Sequence, residues 1–580
     1  MNENLSYLFA AGATAILAVL LPRIKRRLEL SRAKHPSLAG HSRMAKRVAR
    51  LIPFYEYDES HFFSADGAPA EIARRRRDGF MQLASLYRER FARSAAATAA
   101  AAEHITDLQF TGRYRVPFQF AGLVRRHLQG GSLLQSSRGV QVTDLDGNTF
   151  YDLAGSYGVN VFGNDFYREC IADGARRVAE LGPVLGAIHP IAADNARRLK
   201  AISGLDEVSF HMSGTEAVMQ AVRLARYHTG RKYLVRFNGA YHGWWEDVQP
   251  GIGNPLPPRE TYTLKDMSDD TLHVLETRDD IACVLVNPLQ ALHPNAAAPG
   301  DSSLIDSSRR AGFDRDAYTD WLKRLRETCT RRGIVLIFDE VFVGFRLAAG
   351  GAQEYFGVYA DMVTYGKTLG GGLPVGVVCG RRDLMKRYRD ERPVDICFAR
   401  GTFNSHPHVM GAMQAFLDHI ETPEVRALYA KLDAVWSQRA AVLNSRFAAA
   451  GLPLRVEHIG TIWTVRYLRP GRYNWMLQYY LRDEGLALSW VGTGRFIFSL
   501  NYTDQDFQEV AERFVAAAAR MEADGWWYEV PGLDDKGIRR LVLREIIRQR
   551  LAGFLRTPTG ATPTGTRHAD PVEPASATAE

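Results

Sequence analysis

The apolar positions change rhythm along the chain. From residue 23 to about 110 they recur at helical spacing, as in RRRRDGFMQLASLYRERFARSAAATAAAAEH, where an alanine-rich stretch adds high helix propensity. Near residue 116 the rhythm shifts. Gly139 to Asp152 reads GVQVTDLDGNTFYD, and its alternating apolar residues flank Asp146-Gly147, a hairpin signal. From about 170 to 415, helical patterns alternate with short apolar runs at Lys232–Phe237, Ile281–Val286, Ile334–Phe338 and Met362–Tyr365. The runs at 281 and 334 are nearly unbroken, as strands covered on both faces require. This alternation predicts an α/β unit built on a mostly parallel sheet. Beyond 416 the pattern is mixed, with helices at about 423–449 and 504–522 and short strands between them, which predicts a smaller α+β unit.

A chain of 580 residues is too long for one hydrophobic core. The expected organisation is an apolar N-terminal segment (1–30), a helical extension (31–115), the N-terminal part of a small domain (116–185), a large domain (186–415), the C-terminal part of the small domain (416–525) and a tail (526–580). The last residues, 558–580, are rich in Thr, Pro, Ala and Gly and lack the apolar content of a packed core.

Leu5 to Leu21 reads LSYLFAAGATAILAVLL, without a charge, and is followed by Pro22 and the basic residues Arg23, Lys25, Arg26 and Arg27. As a helix it spans about 25 Å, short of a ~30 Å hydrocarbon core. The positive charge follows the apolar run, opposite to a secretory signal. The positive-inside rule then places the rest of the chain on the cytoplasmic side, anchored to the inner membrane by residues 5–21. A buried packing helix is the alternative.

Composition adds little. The net charge is +8, with 46% hydrophobic and 24% charged residues, as in an ordinary globular protein. The basic runs at 23–27, 74–77 and 539–550 read as solvated faces, and no nucleic-acid motif joins them into a binding stripe. Five widely spaced cysteines without a CxxC exclude a disulfide framework and a zinc site of familiar spacing, so no metal is expected.

Four stretches carry chemistry. GIVLIFDEVFVGFR ends an apolar strand in Asp339-Glu340, where ligands of α/β folds bind. MVTYGKTLGGGLPVG runs a second strand into Lys367 and three glycines. A desolvated lysine loses its proton readily and attacks carbonyls. HMSGTEAVMQAVRLAR opens a helix with a capping box from Ser213 to Glu216, and such an N-terminus also cradles phosphate. FNGAYHGWW sets Tyr241 and His242 between glycines after a strand, where an aromatic ring either packs in the core or stacks on a planar ligand.

Taken in this order, the chain resembles the class III aminotransferases of pyridoxal-phosphate (PLP) fold type I, and among them most the glutamate-1-semialdehyde 2,1-aminomutases. The resemblance rests on GVQVTDLDGNTFYDLAGSYG (139–158), SGTEAVMQAVRLAR (213–226), LIFDEVFVGFR (336–346), GGAQEYFG (350–357), YGKTLGGGLPVG (365–376) and RGTFNSHP (400–407). It implies a seven-stranded-type, mostly parallel sheet, a smaller α+β domain, and pyridoxal 5′-phosphate held by Lys367 as an aldimine. It further implies that Asp339 pairs with the ring nitrogen, that Ser213, Gly214 and Thr215 bind the phosphate, and that Tyr241 and Val341 cover the two ring faces with His242 beside them. Gln290 would lie near the ring hydroxyl and Ser156 and Tyr157 near the substrate. Thr402 would reach the phosphate of a neighbouring subunit, which implies a homodimer.

The chain departs from the aminomutase pattern in Asn287-Pro288-Leu289-Gln290, in a longer stretch at 291–318, in RGTFNSHP and in its N-terminal extension. The expected activity is therefore transfer of an amino group from a donor to a ketone or aldehyde acceptor, small or lipid-like, the latter suiting an anchored enzyme. An intramolecular aminomutase is the alternative. A non-catalytic, membrane-tethered PLP-fold binding protein is a second one, opposed by the retained Lys367 and Asp339.

Overall fold

In the computed structural model, the described residues are 18, 20–36, 38, 41–249, 251–256, 258–293, 312–488 and 495–556. Seven strands form the central sheet: β1 (Glu207–His211), β2 (Tyr233–Phe237), β3 (Thr261–Leu264), β4 (Ile281–Val286), β5 (Val335–Asp339), β6 (Met362–Gly366) and β7 (Gly376–Gly380). Their order is β1-β7-β6-β5-β4-β2-β3. Strand β7 is antiparallel to both neighbours and the other pairs are parallel. Every residue of β4, β5, β6 and β7 is buried, which explains their unbroken apolar sequences.

Alternate residues of these strands serve two different cores. Leu234, Cys283, Leu285, Val335 and Ile337 pack under the helix Gly214–Thr229. Their neighbours Val235, Val284, Val286, Leu336 and Phe338 join the larger core, with the helices Arg315–Arg332 and Pro407–Ile420 on that side. Local signals set the helix ends. Ser213 caps Gly214–Thr229 and Gly230 ends it at φ 66° in the left-handed region, where a side chain would be strained. Thr503 and Asp506 form a capping box at the start of Asp504–Ala523. All five cysteines are buried and free.

A third core departs from the expectation of an accessory N-terminal extension. Phe62, Phe80, Tyr87 and Phe91 pack in one cluster with Phe150 and Leu153 and with Trp463, Trp475, Phe514 and Trp527. The helix Ala70–Arg90 supplies a stripe of Ile72, Arg76, Phe80, Leu83, Ala84 and Tyr87, so its helical spacing served this packing. Nor is the whole basic run 74–77 solvated. Arg76 is fully buried, donating through Nη2 to Asp66 Oδ2 at 2.7 Å and through Nε to Gly525 O at 2.9 Å, over the Tyr473 ring. Its neighbour Arg77 pairs with Glu59 at the surface.

The segment beyond 525, expected as a tail, is also built in. Trp526 and Trp527 are buried and donate to Tyr480 Oη and Asn474 Oδ1. The helix Asp535–Arg556 follows, and its Glu545 accepts from Arg472 at 2.7 Å and from Tyr57 Oη at 2.5 Å. Among the described residues no helix is long and apolar enough to cross a membrane. The expected anchor, residues 5–21, lies almost wholly outside the described residues, as does the stretch 558–580.

The two neighbouring arginines make a direct comparison. Arg76→Met strands a buried carboxylate and a carbonyl, and is expected to cost about 3–5 kcal/mol in urea denaturation. Arg77→Met breaks an exposed pair and is expected to cost less than about 1 kcal/mol.

Candidate active site

Parallel strands point their carboxyl ends to one edge of the sheet, and the loops that leave this edge bring the expected residues together. Asp339 is the last residue of β5 and Lys367 follows the last residue of β6. His242 comes from the loop after β2, Gln290 from the turn after β4, and Ser213 from the turn after β1.

Asp339 is 3% exposed. Its Oδ2 lies 2.7 Å from His242 Nδ1, and its Oδ1 accepts from the Val341 amide at 3.1 Å and the Thr364 hydroxyl at 3.4 Å. The Asp339 oxygen accepts, so His242 carries a proton on Nδ1. His242 Nε2 is then buried without a partner among the described residues. Glu340, the next residue, has a different fate. Its carboxyl accepts from the Ala352 and Gln353 amides and caps the helix Gly351–Phe356. Burial pushes its pKa up to about 8 against those two hydrogen bonds. Of the two adjacent acids, only Asp339 faces Lys367.

Lys367 has a left-handed backbone, φ 47°, uncommon for a residue with a side chain and a mark of functional sites. Burial lowers its pKa to about 8; Asp339 acts in the opposite direction and Arg346 in the same one. Its Nζ lies 5.5 Å from the centre of the Phe342 ring and makes no hydrogen bond among the described residues.

The turn after β1 leads into the helix Gly214–Thr229. Ser213 Oγ accepts from the Glu216 amide, while the Glu216 carboxylate accepts from Met212 rather than from Ser213, one residue off the expected capping box. The first intrahelical bond runs from Ala217 N–H to Ser213 O, which leaves the amides of Gly214 and Thr215 ahead of it. Glycines allow this turn to sit tightly. A Cβ on Gly214 would stand 2.7 Å from Val341 Cγ1, and one on Gly366 would stand 3.2 Å from the same atom. A Cβ on Gly376 would collide with Ser213 O, and one on Gly243 with Thr215 Oγ1. Val341, the Ser213–Thr215 turn, the strand before Lys367 and the His242 loop are thus one packed unit.

Tyr241 is half exposed, and its carbonyl accepts from Asn287 Nδ2 at 3.2 Å. Gln290 is buried and donates to Asn238 O at 2.6 Å. Ser156 and Tyr157 are exposed with left-handed φ values of 46° and 56°. Gly158, next to them, packs against the Phe342 ring. Thr402 stands apart, exposed on a surface loop beside Phe403. The longer stretch 291–318 is described only at 291–293 and 312–318.

Three residues of this site were not singled out from the sequence. Thr364 pairs in register with Asp339 across β5 and β6, a relation that only the strand alignment reveals. Phe342 lies under the amine, yet in VFVGF it reads as one more apolar residue. Arg346 is fully buried and donates to Gly158 O, Asn160 O, Phe498 O and Thr461 Oγ1, which ties the sheet to the smaller unit; burial lowers its pKa to about 10.

The profile of the class-III aminotransferase family matches residues 126–518. A glutamate-1-semialdehyde 2,1-aminomutase of Geotalea daltonii is 32% identical over 59% of this chain and 78% of its own length. A solved transaminase with PLP bound superimposes with a TM-score of 0.60 at 25% identity, covering 75% of this chain and 99% of the other. A glutamate-1-semialdehyde aminomutase from Pseudomonas aeruginosa PAO1 has the same fold, with a TM-score of 0.61 at 20% identity over 77% of this chain and 99% of the other.

The lowered pKa gives a direct test of the amine. Below about 8 Lys367 is a protonated ammonium without a lone pair, and above it is a free amine. Labelling of the ligand-free protein by a small aldehyde with cyanoborohydride, read by peptide mass spectrometry, is expected to rise at Lys367 with a midpoint near 8. Surface lysines should rise near their ordinary 10.5. In Asp339→Asn the Lys367 midpoint should move lower, since the carboxylate that favours the ammonium is gone.

Proposed function

Because this chain belongs to the class-III aminotransferases, enzymes that work with pyridoxal 5′-phosphate, we propose that it moves an amino group from a donor amine to a ketone or aldehyde acceptor, with Lys367 as the residue that binds the cofactor covalently. The observation that carries this reading is the buried Lys367 amine, unpaired and of lowered pKa, just past the end of the strand next to the Asp339–His242 pair.

The residues fit the cofactor by what they leave unsatisfied. The Lys367 amine, His242 Nε2 and the amides of Gly214 and Thr215 have no partner within the described residues. When bound, the cofactor supplies a protonated ring that draws off the electron pair left on the substrate carbon. The Asp339 carboxylate, oriented by His242, the Val341 amide and Thr364, holds the proton on the ring nitrogen. The N-terminus of the helix Gly214–Thr229, with the hydroxyls of Ser213 and Thr215, binds the phosphate. Val341 and Tyr241 confine the ring between them, with Gln290 toward its hydroxyl. Lys367, once its amine is free again, takes up and returns the proton at the substrate carbon. Ser156 and Tyr157 border the substrate.

A homodimer completes this site in our reading, with Thr402 serving the phosphate of the partner subunit. The support is a set of apolar side chains with little reason to face water: Val394 is 93% exposed, and Tyr388, Ile396, Phe398 and Phe403, the residue after Thr402, are more than half bare. An aminomutase is the second reading, supported by the names of the curated relatives.

Three experiments test these proposals. Borohydride reduction of the holoprotein is expected to leave the cofactor's mass on the peptide containing Lys367 and on none in Lys367→Ala; a tag elsewhere overturns the assignment. With a nitrogen-15 donor amine, transfer puts the label in the product, whereas an aminomutase leaves it unlabelled. For the assembly, Val394→Asp is expected to yield monomers in light scattering, with activity lowered by at least about tenfold as the site loses a charge-assisted phosphate contact. A dimer that persists would place the interface elsewhere.

A further inference from the structure

A second cavity lies in the third core, built from residues that the site above does not use. Four elements border it: the helices Ala92–Ala102, Thr106–Tyr114 and Ala121–His127, and the helix Leu477–Asp483. Its volume is about 580 Å³, within the range of small-molecule sites, roughly 300–1,000 Å³. Ala95, Ala102, Val116, Val124 and Leu128 give it an apolar wall.

Two polar groups in this wall are left without partners. Tyr479 is 3% exposed, lines the cavity, and its hydroxyl makes no hydrogen bond among the described residues. A hydroxyl at a cavity wall with no protein partner is an open donor and acceptor for a ligand atom. Arg115, half-buried in the same wall, makes no ion pair and no hydrogen bond from its guanidinium among the described residues. The two are electrostatic neighbours, since burial raises the Tyr479 pKa while Arg115 and Arg482 act against that rise. No lining residue is acidic, and three are arginines. Of these, Arg125 is committed to Glu56 at 2.7 Å and Arg113 lies over the Phe54 ring, so Arg115 is the cation that faces the space unpaired. Arg482, behind Gly130, adds positive charge from below, donating to Gly130 O and packed on the Phe91 and Phe150 rings.

We propose that this cavity binds a single-chain fatty carboxylate, with the acyl chain along the Ala95–Val124–Leu128 wall and the carboxylate on Arg115 and the Tyr479 hydroxyl. The chemistry discriminates. A neutral alcohol of the same length would leave Arg115 unpaired, and a short acid would leave the apolar wall wet. A carboxylate supplies the acceptors that a guanidinium and one hydroxyl can share. The site is separate from Lys367, and the inference does not depend on the reaction carried out there.

The test titrates the full-length holoprotein with cis-parinarate, whose fluorescence rises on entering an apolar site. Saturable binding at one site per chain is expected, displaced by palmitate and not by hexadecanol. Arg115→Gln should weaken binding by at least about tenfold, as loss of one charge-assisted hydrogen bond implies. Tyr479→Phe should weaken it roughly threefold to tenfold. Ala95→Trp, which fills the space, should abolish it while the visible absorbance of the holoprotein stays unchanged, showing that the variant is folded. Binding that is absent, or equal in Arg115→Gln and Ala95→Trp, overturns the proposal. So does binding that appears only after residues 1–17 are deleted, which would assign the cavity to the chain's own apolar segment.

Discussion

The site depends on one electrostatic compromise: an amine buried next to a carboxylate at the edge of a sheet. Burial drives Lys367 toward its neutral form, while Asp339 on the adjacent strand favours the charged one. Burial alone would strip the proton from the amine altogether; the carboxylate alone would lock it as an ammonium. Together they leave it within reach of its proton near neutral pH. The parallel register that aligns Asp339 with Thr364 makes this balance geometric. The carboxylate is not free to swing, because His242, Val341 and Thr364 hold both of its oxygens.

Around that pair the structure is tight. Val341 packs on Gly214 so closely that a side chain there would collide with it, and on Gly366 with little room to spare. Glu340, one residue from Asp339, shows how little sequence separates an acid that faces Lys367 from one that caps a helix. The strand alternates its side chains, so the second carboxylate turns away and caps a helix. Arg346, held by backbone oxygens from two regions, joins this packed unit to the rest of the protein.

Much of this was legible in the sequence because strand and cap signals are local. The apolar runs at 281, 334 and 362 are strands, the Asp146-Gly147 turn joins two antiparallel strands, and the long helices begin at their caps. The residues at strand ends could be read as a group because the fold brings strand ends to one edge. What could not be read was long-range. Arg76 looks like its three basic neighbours until Asp66 and Gly525 are placed beside it. Phe342 and Thr364 carry no signal outside the register that positions them. The tryptophans at 526 and 527 stand in an otherwise polar stretch, and only their partners Tyr480 and Asn474 show why they are there.

The shared third core sets an order on how the protein is made. Helices from the first hundred residues close against Trp463, Trp475 and Trp527, and Tyr57 near the start meets Glu545 near the end. A ribosome delivers these partners hundreds of residues apart. The early helices find their first partners in Phe120 and Phe150, but the part of their apolar faces that packs on the tryptophans waits through synthesis of the whole central sheet. In that interval they are a natural target for chaperones that hold emerging chains. The sheet, whose strands all lie between these two ends, can close while that third core is still incomplete.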